Sequence, residues 1–193
     1  MKATLLVLPI ISATLLLSAC APTVSYVDPN AVNSLTTNFN QNDLRTVAQD
    51  MSTDLIQSGK MSQCKTFTIS SVKNDTDQYV DTSVMTNTMA DTLTNSSAVS
   101  SKFVVSSQGM KSQTKELKRQ NNSGYYNKKT VATVGQMVGA QCRIDGKLTS
   151  DTSVSPNGSN TLKSYTFFVQ IFDVKTGEAL WRNSKNIAKA QSN

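Results

Sequence analysis

Three short elements carry the residue types of a serine nucleophile. Ser112-Gln-Thr-Lys115, Ser155-Pro-Asn157 and Lys175-Thr-Gly177 follow in the order of the SxxK, SxN and KTG elements of serine enzymes that react with β-lactams. Those elements work where a helix start, a loop and an edge strand converge on one acylated serine. The 63 residues from Ser112 to Lys175 are too few to build that convergence. Here KTG and SPN read as hairpin turns, and such short patterns arise by chance in a chain rich in Ser, Thr, Lys and Asn. The chain has no histidine, which removes the usual general base, the zinc and haem ligand, and every Ser-His-Asp or Cys-His arrangement. Asp75, Asp77 and Asp81 lack the glycine and terminal glutamate of a calcium loop and read as turn and cap residues. No phosphate-cradling glycine loop is present. The sequence therefore predicts no enzyme, no metal, no cofactor and no small-molecule substrate.

The remaining chemistry sits in three cysteines. Lys2 and the apolar run Leu5 to Leu17 read as an export signal, and the run is shorter than the roughly 20 residues that span a bilayer. It ends in Leu17-Ser18-Ala19-Cys20, which resembles the bacterial lipobox. That resemblance implies cleavage before Cys20, lipid on its sulfur and an acylated amino terminus. Several acyl chains, at about 0.8 kcal/mol per buried methylene, make a stable anchor. Ala21, rather than an aspartate, follows the cysteine, so the lipoprotein resemblance implies the periplasmic face of the outer membrane. Residues 1–19 are thus expected to be a lipoprotein signal peptide, 20–40 the lipidated amino terminus and a tether, and 41–193 the globular domain. Twenty extended residues reach about 70 Å at most. Cys64 and Cys142 then remain in an oxidising compartment, either bridged or as two separate thiols.

Formal net charge is +6, and removing residues 1–19 takes away one lysine, leaving +5. A solvated surface or attraction to an acidic partner would both give this balance; the compartment excludes nucleic acid. Lys115, Lys118, Arg119, Tyr125 and Tyr126 form a basic and aromatic cluster around a loop, the composition that interfaces favour, though a solvated helix with partly buried tyrosines would look the same.

The elements that must position these groups follow from periodicity. Leu44, Val47, Ala48, Met51, Leu55 and Ile56 recur at helical spacing over 41–59, with Asn42 or Asp43 as N-cap and Gly59 as the stop. Thr66 to Val72 alternates as a strand and breaks at Lys73-Asn74-Asp75. Asp81 is expected to cap a helix to about Ser97 bearing Val84, Met85, Met89 and Leu93, and Lys102 to Ser106 is a short strand. Lys111 to Gln120 and Lys129 to Val138 read as two helices. Period two then takes over: Cys142 to Thr149, Leu162 to Val174 with Tyr165, Phe167, Val169 and Ile171 on one face, and Ala179 to about Lys189. Helices alternating with strands, then a meander, predict an α/β (α+β) fold, a small and mostly antiparallel sheet flanked by helices.

The segment FNQNDLRTVAQDMSTDLI, the stretch Thr76 to Ser83, VGQMVGAQCRIDGKLTS and FFVQIFDVKTGEALWRNSKNIAK together resemble the penicillin-binding protein activator LpoB family over about 39 to 189. The pieces that carry the resemblance best are Gly139-Ala140 before a strand, and the hairpin Asp173 to Glu178 followed by Trp181. The resemblance implies a fold like the amino-terminal domain of TolB and an outer-membrane lipoprotein. It also implies a protein that contacts the regulatory domain of a bifunctional penicillin-binding protein and stimulates glycan polymerisation and crosslinking. The alternative is a structural or assembly lipoprotein of an outer-membrane complex, because TolB-like folds resembling CsgG also serve secretion pores.

Overall fold

The computed structural model of the protein describes residues 37–192. The expected signal peptide, Cys20 and most of the tether lie outside the described residues. Helix α1, Gln41–Gln57, buries Leu44, Val47, Ala48, Met51 and Leu55, while Ile56 packs at the edge of the core. Full burial of each Leu or Met side chain contributes about 1.5–3 kcal/mol. Its N-cap is Asn40, not Asn42 or Asp43: Asn40 Oδ1 accepts from the Asp43 N–H at 2.9 Å, and Asp43 Oδ2 accepts from the Asn40 N–H at 2.8 Å. This reciprocal box satisfies two backbone donors at once, which a cap at either later position could not do. Gly59 follows with φ 69°, the left-handed conformation that stops the helix.

A single 3-10 turn, Lys60–Gln63, leads into β1, Thr66–Ile69, whose Phe67 and Ile69 enter the core. The chain does not simply break after it. Lys73–Asp75 forms β2, and both strands pair in parallel with the same neighbour, so they are one strand interrupted at 70–72. In the interruption Val72 turns inward over Gly146, where a Cβ would stand 2.8 Å from Val72 Cγ2. Helix α2, Ser83–Asn95, buries Met85, Met89 and Leu93. Thr82 is its N-cap and makes no side-chain cap bond; Asp81 Oδ1 instead accepts from the Ser83 N–H at 3.0 Å. After β3, Lys102–Phe103, comes α3, Ser107–Asn122, capped by Ser106 Oγ accepting from the Gly109 N–H.

The second helix expected over Lys129 to Val138 does not form; these residues are turns and irregular chain. Thr130, Val131, Thr133 and Val134 are β-branched, Gly135 sits at φ 87°, and none of the side chains from Lys129 to Val138 is buried. Strands β4, Cys142–Val154, β5, Asn160–Asp173, and β6, Ala179–Ser192, form the long antiparallel meander. The sheet order is β3-β1-β4-β5-β6, with β2 also on β4. The fold is mixed α and β as expected, the long ladders antiparallel and the short ones parallel. One sheet face, with Phe67, Ile144, Leu148, Tyr165, Phe167, Val169 and Ile171, meets α1 and α2 in a single core. Among the described residues no helix is long and apolar enough to cross a membrane.

Candidate functional site

The three serine-enzyme elements lie far apart. Ser112 is exposed on α3. Ser155 and Asn157 make the β4–β5 turn, where Ser155 Oγ donates to Asn157 Oδ1 at 2.8 Å. Lys175 to Gly177 makes the β5–β6 turn, in which Asp173 Oδ1 accepts from the Lys175 and Thr176 N–H groups at 2.8 Å each. These two turns cap opposite ends of β5, whose 14 residues run about 45 Å. No acyl-serine centre can assemble from them.

Cys64 and Cys142 are joined, with Cα atoms 5.7 Å apart. The pairing of β1 and β4 explains why two residues 78 positions apart meet: the strands run parallel, with Phe67 opposite Cys142, so their starts are neighbours. Closing such a loop stabilises the fold by at most about 4.5 kcal/mol in the chain-entropy model. The bridge also pins the point where the chain returns from a long excursion, residues 104–141, between β3 and β4.

That excursion is an arm. Its ends are held to β1: the Val104 N–H donates to Phe67 O at 2.8 Å, Thr68 Oγ1 to Val105 O at 3.1 Å, Thr66 Oγ1 to Gly139 O at 2.9 Å, and the Gln141 N–H to Thr66 O at 3.0 Å. Between those anchors the arm is held by itself. Asn121 Nδ2 donates to Ala132 O at 2.9 Å, folding the loop back on α3, and Lys128 Nζ donates to Asn121 O. None of the arm's described side chains is buried.

Of the five residues of the basic and aromatic cluster, the structure brings together Arg119 and Tyr126 and, along a separate groove, Lys115 and Lys118. Arg119 holds Glu116 through Nε and Nη2 at 2.8 Å each, and its Cζ lies 5.3 Å from the centroid of the Tyr126 ring. The pair drives Glu116 below its ordinary carboxylate range, chiefly through the Arg119 hydrogen bonds, and raises Arg119 by the same contact. Lys115 and Lys118 line a groove of about 470 Å³ along α3 with Met110, Lys111 and Thr114. Tyr125 does not join them; it is 98% exposed. The cluster as read from sequence omits Lys111, Lys128 and Lys129, which share the arm, and Met110, Met137 and Val138, which are exposed apolar residues on it. A charge count over the residues between β3 and β4 finds the lysines.

A second depression, about 330 Å³, lies on the sheet face turned away from α1 and α2. Lys73, Lys147, Phe168, Gln170 and Arg182 line it. Most of its cations are already paired: Lys147 meets Asp75 at 2.9 Å, Lys73 meets it at 3.6 Å, and the neighbouring Arg143 meets Asp145 at 2.9 Å. Asp75 is accordingly held below its usual range, first by Lys147. Among the described residues no group of three or more acidic or cysteine side chains could hold a metal ion.

The sequence and structure of the chain are similar to known proteins. The family model described as peptidoglycan-synthase activator LpoB matches residues 43–187. Among solved structures, the LpoB C-terminal domain from Salmonella enterica is 18% identical, covering 75% of this chain and 98% of that one with a TM-score of 0.46. The LpoB C-terminal domain from Escherichia coli is 17% identical, with the same coverage and TM-score. The lipoprotein GNA1162 from Neisseria meningitidis is 17% identical, covering 66% of this chain and 86% of that one with a TM-score of 0.39. No curated protein sequence matches. The family match runs from the first turn of α1 to the middle of β6, well over half the chain, and the protein belongs to the LpoB family of peptidoglycan-synthase activators.

Proposed function

We propose that the protein is a lipid-anchored activator of a peptidoglycan synthase, a bifunctional penicillin-binding protein, and that it acts by protein–protein binding without chemistry of its own. The observation that carries this reading is the family match over residues 43–187. Two features agree with it. The serine elements that could suggest a catalyst are held at opposite ends of a strand and on a separate helix, and the chain offers a large exposed arm. In this reading Cys20 carries the lipid after removal of residues 1–19, and the anchor holds the domain at the periplasmic face of the outer membrane. The residues after Cys20 tether the domain, whose first buried side chain among the described residues is Phe39.

Activation by binding has a simple physical form. A partner that binds the active conformation of the synthase more tightly than the resting one shifts the population by the ratio of the two affinities; equal affinity for both shifts nothing. The test is direct. Glycan polymerisation by the cognate bifunctional synthase is measured with and without the full chain in detergent. The reading expects a faster rate that saturates with concentration; an unchanged rate together with no detectable binding refutes it.

A further inference from the structure

We infer that the arm, residues 104–141, is the docking surface and that it meets an acidic face of the synthase; this deepens the activator reading and rests on it. The first reason is where the charge lies. The arm carries six basic residues, Lys111, Lys115, Lys118, Arg119, Lys128 and Lys129, against the single acid Glu116. Residues 37–103 and 142–193 carry twelve basic and eleven acidic residues and are close to neutral. Five of the chain's six net positive charges therefore sit on one arm.

The second reason is how those charges are partnered. On the scaffold Lys147, Lys163, Lys185 and Lys189 each meet an aspartate. On the arm only Arg119 has an ion-pair partner among the described residues. Unpaired like charges a few residues apart repel one another, and an arm that contributes no buried side chain gains nothing in folding from that repulsion. An acidic partner removes it and steers encounter at long range.

The charges also favour one occupant. A second copy is a poor source of counter-charge, because Asp43, Asp50, Asp75, Asp77 and Asp145 are already engaged by basic residues, and two arms, each with six basic residues against one acid, would repel. A lipid surface asks for a broad apolar helix face. Along α3 the apolar strip is only Met110 and Leu117 with Thr114 between them, flanked by Gln113, Gln120 and Asn121. Met110, Met137, Arg119 and the two tyrosines are instead of the types enriched in protein interfaces. The bidentate Glu116–Arg119 pair and the ring of Tyr126 over the guanidinium hold part of that surface in one geometry before the partner arrives.

The experiment measures binding of the full chain, in detergent, to the cognate bifunctional synthase at low and raised salt. Three proteins are compared: the unaltered chain, Lys111→Gln/Lys115→Gln/Lys118→Gln, and the scaffold control Lys60→Gln/Lys65→Gln/Lys175→Gln, which loses the same charge. The arm variant is expected to bind about tenfold more weakly at low salt, with a flatter salt dependence, while the control stays within about threefold. Replacing the same arm lysines by Arg should keep the affinity. Equal weakening in both triple variants, or none in the arm variant, overturns the arm as docking surface and leaves the activator reading standing. Failure of the unaltered chain to bind overturns both. Lysine-dependent binding of the unaltered chain to vesicles containing anionic lipid, of the same strength as to the synthase, would reassign the arm to a membrane surface and overturn the inference.

Discussion

The scaffold and the arm use their side chains in opposite ways. On the scaffold β1, β4, β5 and the first two helices send alternate or fourth residues into one core, and Lys147, Lys163, Lys185 and Lys189 around it are matched to aspartates. The arm buries none of its described side chains, leaves most of its basic residues without an ion-pair partner, and is tied to the sheet at its two ends. Burial is what makes a scaffold intolerant of change; an unburied, charged segment is free to vary for another purpose. The difference assigns stability to one region and recognition to the other.

The sharpest way to break this division is to cut the core and the arm alike. Phe167→Ala on β5, fully buried, should cost about 3–5 kcal/mol. Tyr125→Ala on the arm should stay within about 0.5 kcal/mol. Denaturant titration reads both, and similar losses would erase the distinction. Next in size, Cys64→Ser/Cys142→Ser should lower stability by about 2–4 kcal/mol, because it frees a 78-residue loop in the unfolded chain. Thermal unfolding checks it, and an unchanged midpoint would mean that the bridge contributes nothing.

Smaller again is Gly146→Ala. The added Cβ meets Val72 Cγ2 at 2.8 Å and Phe167 Cε2 at 3.1 Å, so overpacking should cost about 1–3 kcal/mol. A neutral result would mean that the interrupted edge of β1 and β2 yields freely.

The smallest effect concerns pH. Asp77 is held below the usual carboxylate range by hydrogen bonds from Lys163 and then Ser150, and Asp75 by Lys147. A carboxylate whose folded value lies below its unfolded one adds stability above an unfolded pKa of about 3.9, and this is lost as pH falls through the folded value. Thermal midpoints should therefore drop below about pH 4, and Asp77→Asn should shallow that drop. Glu116→Gln on the arm removes another lowered carboxylate and should shallow the drop as well, by a small amount because the pair with Arg119 is exposed.

Much of the scaffold was legible in the sequence. The spacing of Leu44, Val47, Met51 and Leu55 and the alternation of Tyr165, Phe167, Val169 and Ile171 are strong periodic signals, and the structure buries all of them. Phe39 was not legible as core. Asn and Thr surround it, and its partners are distant: its ring stacks on Tyr165 at 4.5 Å, and its N–H and C=O bond to the Gln78 amide 39 residues away. Lys73 to Asp75 looked like a break because three polar residues in a row carry no period, yet the backbone of β4 was available to pair with them. On the arm the charges were visible but their grouping was not. Lys129 to Val138 read as helix from composition, where β-branched residues and a left-handed glycine made turns instead.

The division between scaffold and arm is tested most directly by amide hydrogen exchange of the full chain, free and bound to the cognate bifunctional synthase. The account predicts new protection across residues 104–141 on binding, with little change along β4 and β5. Protection confined to the open sheet face around Lys147, Phe168 and Arg182, with the arm exchanging as before, would contradict it.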